Sequence, residues 1–371
     1  MEKVDVIVDL QYGSTGKGLL VGYLAENGPY DAVVTAWAPN AGHTYIDKNG
    51  RKYIHTHLAN GIVGPAVRKV FLGPGSLINP EQLLAEIEEC RDVIETKGIR
   101  IFIHPHAAIV TQRHIDEEAG PMTKIGSTKK GVGAAMVQRI RRDPDDQNIA
   151  AHYTAALHPY VVTVDTYRRE LKDTEYVLVE GAQGYGLSMY HGFYPYTTSR
   201  DVSLWQILAD SGIQAGDVMD KYRVCKVRAL GTCRTYPIRV ANRFDTEGTQ
   251  VGYSGPCYGD QIEIAFEDIG QKTELTTVTK LPRRIFTFSG TQIEEAVRHN
   301  GVYEVFLNFV NYVQTEVELI NIVQRIERKD TQVRWIGLGP AHDDVRTITG
   351  DRAERMQKIV KYWKECRNVT K

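Results

Sequence analysis

The sequence predicts an α/β fold: a mostly parallel central sheet with flanking helices, long substrate-binding loops and a phosphate loop after the first strand. Three observations carry this. Short β-branched apolar runs alternate with stretches of helical spacing, the pattern of parallel strands covered on both faces. The first run, Val4-Asp5-Val6-Ile7-Val8, leads straight into Leu10-Gln11-Tyr12-Gly13-Ser14-Thr15-Gly16-Lys17-Gly18, after which a helix can start. The 371 residues, 42% hydrophobic, are enough for a large core.

The elements follow in order. Apolar runs over 33–37, 70–72 and 101–103 read as strands, and Tyr45-Ile46 with Tyr53-Ile54 flank Asp47-Lys48-Asn49-Gly50, a hairpin signal. Residues 80–97 read as one helix, with Pro80 in its first turn and Leu83, Leu84, Ile87 and Val93 near one face. A strand over 176–179 ends in Glu180-Gly181-Ala182-Gln183-Gly184. Then come a helix over 202–209, a strand over 224–230, a helix over 292–299, strands over 302–307 and 333–338, and a closing helix over 351–366. Long loops are expected over 120–133, 184–200 and 271–284, where compact enzymes hold substrates.

Lys+Arg total 45 against Asp+Glu 46, a balance that argues against nucleic-acid or membrane-surface partners. The five cysteines, Cys90, Cys225, Cys233, Cys257 and Cys366, form no C-x-x-C pair and read as reduced thiols of a cytoplasmic protein. No signal peptide and no apolar run near about 18 residues is seen.

The glycine-rich turn suits a phosphate. Gly13, Gly16 and Gly18 admit a close backbone approach and Lys17 brings a point charge. The spacing is shorter than G-x-x-x-x-G-K-[ST], and Gly18 stands where a hydroxyl would hold magnesium, so the metal needs other ligands. Read alone, the stretch also suits an ordinary glycine-rich turn. A second small-residue loop, Pro39-Asn40-Ala41-Gly42-His43-Thr44, follows a strand. Asn40 suits a phosphate or base, the Gly42 carbonyl a metal, and His43 general acid catalysis. His55 and His57 read as structural.

These two loops together resemble adenylosuccinate synthetase, the purine-pathway ligase. The resemblance continues through Leu58-Ala59-Asn60-Gly61-Ile62, Gly126-Ser127-Thr128, Glu180-Gly181-Ala182-Gln183-Gly184, Tyr194-Pro195-Tyr196-Thr197-Thr198-Ser199 and Gly339-Pro340, in family order over nearly the whole chain. It implies one catalytic domain over 1–371 and a two-step reaction. A nucleoside triphosphate phosphorylates the 6-oxygen of a purine monophosphate, and the amine of L-aspartate displaces that phosphate. By resemblance, Gly13, Thr15, Gly16, Lys17, Gly18, Thr44, Asn308, Asn311, Gly339 and Pro340 take the triphosphate. Lys17 stabilises the transferring phosphoryl group, His43 lies on the 6-oxygen side and Gln183 holds the base edge. Asn40, Ser127, Thr128 and Thr198 hold the monophosphate. Arg142 reaches into a neighbouring subunit, which implies a homodimer, although Arg139-Ile140-Arg141-Arg142 alone also reads as a solvated helix face. Mg²⁺ is the implied cofactor, with Ser14 and Gly42 as its ligand positions.

Three departures refine the expectation. Ser14 stands where the family carries an aspartate that deprotonates N1 of inosinate and binds magnesium. The phage-type 2-aminoadenylosuccinate synthetases have this substitution, which implies dGMP as substrate and a role in 2-aminoadenine DNA synthesis. A shorter side chain opens room beside carbon 2, where guanine has its amino group. Leu307-Asn308-Phe309-Val310-Asn311 replaces a threonine-lysine-x-aspartate segment. Asn311 offers both an acceptor and a donor, which suits adenine, so the donor is expected to be ATP or dATP and not GTP. Thr276-Thr277-Val278-Thr279-Lys280-Leu281-Pro282-Arg283-Arg284 replaces the family's aspartate loop, with Thr279, Lys280, Arg283 and Arg284 as the expected aspartate-binding residues. The alternatives are an ordinary adenylosuccinate synthetase acting on IMP and a catalytically inactive nucleotide-binding regulator.

Overall fold

A nine-stranded sheet runs through the molecule. The computed structural model describes all residues except 120–123, 145–147, 153–154, 221–222, 225, 277–279, 329 and 370–371. From one edge the strands are Arg100–Ile103, Lys69–Leu72, Ala32–Thr35, Tyr176–Glu180, Lys3–Asp9, Lys226–Arg234, Glu304–Asn308, Gln332–Gly337 and Val345–Thr347. All neighbours pair in parallel except the last two, which are antiparallel.

The central strands are apolar on both faces because both are covered. Val4, Val6 and Val8 point into one core with Leu319, Ile322 and Ile293. Ile7 points into the other with Leu20, Val21, Val33 and Ile62. The two-residue period divides one strand between two cores.

Most expected elements form. The hairpin pairs His43–Ile46 with Lys52–His55, and the helix after the first turn is Lys17–Asn27. The single helix expected over 80–97 is two, Pro80–Glu89 and Arg91–Lys97, broken at Cys90 with ψ 7°. Cys90 is buried, its Sγ 3.4 Å from His55 Nε2. Helices Val164–Lys172 and Glu316–Ile326 were not anticipated. Thr163 and Thr315 cap their first turns through the N–H groups of Thr166 and Glu318. The loop expected over 120–133 gives way to helix Val132–Arg141, whose first amides are capped by the Glu118 carboxylate. No helix among the described residues is long and apolar enough to cross a membrane. Cys90, Cys233, Cys257 and Cys366 form no disulfide; Cys225 lies outside the described residues.

Candidate active site

Four adjacent strands end, at their carboxyl edge, in Glu180, Asp9, Arg234 and Asn308. All four are buried. The carboxyl edge of an open parallel sheet is where ligands bind, and buried polar groups there must be paired.

Asp9 builds the phosphate loop. Its Oδ1 accepts from the backbone N–H groups of Gln11 at 2.9 Å and Gly13 at 3.3 Å. Its Oδ2 accepts from Thr15 Oγ1 at 2.5 Å and from Lys17 Nζ at 2.8 Å. The lysine is thus held from beneath, and the first amides of helix Lys17–Asn27, which have no partner within the helix, open on the cavity. Gly16 has φ 92°, and a β-carbon there would lie 2.1 Å from Asn308 Nδ2, so only glycine lets that strand end brace the loop. Asn308 Nδ2 donates to the Thr15 carbonyl at 3.3 Å.

Glu180 does for His43 what Asp9 does for Lys17. Glu180 Oε1 lies 2.8 Å from His43 Nδ1, and Oε2 accepts from the Asn60 N–H at 2.9 Å. Facing a carboxylate, Nδ1 is the donor, which leaves Nε2 for the cavity. Trp37 stacks on the imidazole with ring centres 3.9 Å apart. Burial lowers the His43 pKa; Glu180 opposes that shift and Lys17 adds to it.

Gln183 adopts a left-handed backbone, φ 62°, and its Nε2 donates to Asn40 Oδ1 at 3.1 Å. The Glu180–Gly184 turn and the Pro39–Thr44 loop are therefore linked. Opposite them, Arg283 Nη1 donates to Ser14 Oγ at 2.9 Å. Burial pushes the Arg283 guanidinium down to about 10, against the pull of Glu274, so it remains a cation at neutral pH.

These groups surround one cavity of about 600 Å³. Of the residues expected from sequence, Gly13, Ser14, Gly16, Lys17, Gly18, Asn40, Gly42, His43, Thr44, Thr128 and Gln183 line it. So do Arg283, Asn308, Asn311, Gly339 and Pro340. Thr15 is on the loop but turns inward, its hydroxyl spent on Asp9 and Thr232. Arg284 is not on the cavity wall: its guanidinium makes a two-point pair with Glu263 and a bond to the Gly255 carbonyl. Lys280 is exposed and off the wall, and Thr279 lies outside the described residues. Ser127, Thr198 and Arg142 also stand off the wall; Arg142 ends its helix, exposed, with φ 54°.

Sequence reading missed Asp9, Glu180, Arg234 and Glu274 as organisers. The first two carried a signal: an acid closing an apolar run marks the carboxyl end of a buried strand.

The same donors decide what metal suits the site. Among the described residues no cluster of three or more His, Cys, Asp or Glu side chains is arranged to hold an ion. Asp9 already accepts from Gln11, Gly13, Thr15 and Lys17. The Gly42 carbonyl, with the Ser14 hydroxyl that Arg283 also reaches, fits a hard cation such as Mg²⁺ that draws most of its shell from phosphate and water.

The adenylosuccinate synthetase family model matches residues 6–149 and 143–336. The N6-succino-2-amino-2'-deoxyadenylate synthase of Acinetobacter phage SH-Ab 15497 is 43% identical over 396 aligned positions, covering 100% of both chains. The enzyme of the same name from Salmonella phage PMBT28 is 46% identical over 367 positions, 93% of this chain and 97% of its own. Among solved structures, the succinoaminodeoxyadenylate synthetase of cyanophage S-2L, bound to dGMP and to dATP as an energy donor, matches with a TM-score of 0.86. It is 41% identical over 98% of this chain and 99% of that one. Sequence and fold agree: this chain belongs to the adenylosuccinate synthetase family of carbon–nitrogen ligases.

Proposed function

We propose that the chain joins L-aspartate to carbon 6 of dGMP at the expense of ATP or dATP, giving N6-succino-2-amino-2'-deoxyadenylate for 2-aminoadenine DNA. The observation that carries this is the match, over 98% of the chain, to a synthetase bound to dGMP and dATP, with Ser14 on the wall of the corresponding cavity.

The chemistry has two steps. The 6-oxygen of guanine attacks the γ-phosphorus of the donor, N1 loses its proton, and the diphosphate leaves. The aspartate amine then adds at carbon 6 and the 6-phosphate departs. A 6-oxo purine is a poor electrophile until its oxygen becomes a phosphate leaving group. Lys17 and the amides after Gly16 stabilise charge on the transferring phosphoryl group. His43, held by Glu180, faces the 6-oxygen, and Gln183 reads the base edge. Asn40 and Thr128, with Ser127 and Thr198, take the 5'-phosphate. Arg283 takes a carboxylate of aspartate. Asn308, Asn311, Gly339 and Pro340 form the donor-base side. The Gly42 carbonyl and the Ser14 hydroxyl would hold Mg²⁺, which would supply charge neutralisation at the phosphates.

The same reading makes the protein a cytoplasmic homodimer with one catalytic domain over 1–371, Arg142 reaching the partner's monophosphate. Exposure of Arg142 and of Ile140 on the same helix supports it.

The test is a product assay with ATP, L-aspartate and either dGMP or IMP, on wild type and Ser14→Asp. Wild type is expected to consume dGMP faster than IMP. Ser14→Asp is expected to depress dGMP turnover by crowding the 2-amino group and by competing for Arg283. Faster turnover of IMP by wild type returns the chain to ordinary adenylosuccinate synthesis.

A further inference from the structure

Arg234 heads the fully buried side chains by volume, and the reaction steps above make no use of it. Its backbone is clamped at the strand end by Gln11, which donates Nε2 to the Arg234 carbonyl at 3.1 Å and accepts the Arg234 N–H at 2.9 Å. From there the guanidinium meets three segments. Nη1 reaches the Ser14 carbonyl at 3.4 Å, on the phosphate loop. Its plane lies 3.8 Å from the ring centre of Phe309, on the donor-base side. Nη1 and Nη2 take both oxygens of Glu274, at 3.2 and 2.5 Å, at the root of the basic loop.

Glu274 in turn sets the loop. Its carbonyl accepts the Arg283 N–H at 2.9 Å, Leu275 and Pro282 form a bridge, and Thr276 N–H donates to the Leu281 carbonyl at 2.9 Å. Arg283, placed by that frame, returns its Nη1 to Ser14 Oγ. Glu274 is also the one carboxylate among the described residues lining the cavity. Left unneutralised, it would repel a dicarboxylate substrate; two-point pairing with Arg234 removes that charge from the substrate's view.

We propose that the pair of buried Arg234 and half-buried Glu274 is a positioning device for the amino-acid substrate, tying the root of the basic loop to the phosphate loop so that Arg283 is set to receive the dicarboxylate. The dicarboxylate is the aspartate of the proposed reaction, on which this inference rests; the tie itself does not depend on it. Pairing a buried arginine with a half-buried carboxylate gains little stability over apolar packing, so its role lies in fixing where the loop stands.

The experiment uses the full chain with Arg234→Lys, Glu274→Gln and the double variant, and has two readouts. Amide exchange without substrate reports the tie. Each variant is expected to speed exchange in the 274–283 segment and leave strand Glu304–Asn308 unchanged. Steady-state kinetics with calorimetry report the function. The aspartate KM is expected to rise about ten- to a hundredfold, kcat to fall no more than about threefold, and dGMP affinity to hold within about threefold. The double variant is expected to be no worse than the more severe single one, because both remove the same contact. An unmoved aspartate KM, or parallel weakening of dGMP and aspartate, overturns the proposal. So does a collapse of kcat at unchanged aspartate KM with an altered pH profile, which would make Glu274 a proton-transfer group. Wild type that ignores dGMP refutes the substrate reading alone; the KM split is then read with the purine nucleotide that supports aspartate consumption.

Discussion

On the strand-end side of the cavity, Asp9 and Glu180 sit beneath the wall and each holds one working group, Lys17 or His43, at 2.8 Å. On the loop side, Arg283 stands on a segment with little regular structure and is located by a chain of contacts running back through Glu274 to Arg234. The first wall is fixed by sheet register, the second by long-range ties. Lys17 and His43 are each held by a carboxylate at a strand end of the sheet; Arg283 is held by contacts within its own loop and their tie to Arg234.

The largest expected effect probes the sheet side. His43→Asn should cut kcat by about two to four orders of magnitude, the range for a positioned proton-transfer group, with nucleotide affinity by calorimetry within a few fold. Glu180→Gln should follow the same direction less severely. Because Glu180 opposes the burial that lowers the His43 pKa, its loss should carry any His43-dependent limb of the pH–rate profile to lower pH. Near-normal turnover in His43→Asn removes the imidazole from the chemistry.

An intermediate effect probes the donor-base side. Asn311→Asp should move the ratio of kcat/KM for ATP over GTP toward GTP by about tenfold, since a carboxylate accepts from both guanine donors. A ratio unchanged by the substitution places base selection elsewhere.

The smallest effect lies off both walls. His104 packs against Tyr167 and His106. Burial, with His106, Arg139 and Arg168 nearby, brings its pKa down to about 4. A group harder to protonate in the fold than in the unfolded chain contributes stability above about pH 6.5 and loses it as the pH falls toward 4. The melting midpoint should drop over that window, and His104→Gln should flatten part of the slope by a few degrees. An identical slope in the variant assigns the acid sensitivity to other groups.

The two walls also differ in how far sequence reveals them. The phosphate loop, Asn40, His43 and Gln183 were legible because each follows an apolar strand, and strand ends converge. The helix expected over 80–97 was right in content and wrong in continuity, since the break at Cys90 is set by what Cys90 packs against. Within the basic loop the arginines are chemically alike, and sequence could not divide them. Glu263 captures Arg284 from 21 positions away in sequence, while Arg283 is left for the cavity. Arg234 gave no sign at all, because its meaning depends on Ser14, Glu274 and Phe309 being brought together.

Sheet order carries a consequence for synthesis. The strand Lys3–Asp9 is the middle of the sheet, yet its neighbours, Tyr176–Glu180 and Lys226–Arg234, are made long after it. At about 5–20 residues per second, roughly 10 to 45 s separate Asp9 from Arg234. Until then the Gly13–Gly18 turn lacks the Arg234 contact to the Ser14 carbonyl, the Asn308 brace comes later still, and an apolar segment with open edges waits for partners made late. Non-local pairing of this kind is slow to form and exposed to aggregation. Truncation before Arg234 should therefore yield a chain that neither binds nucleotide nor stays dispersed.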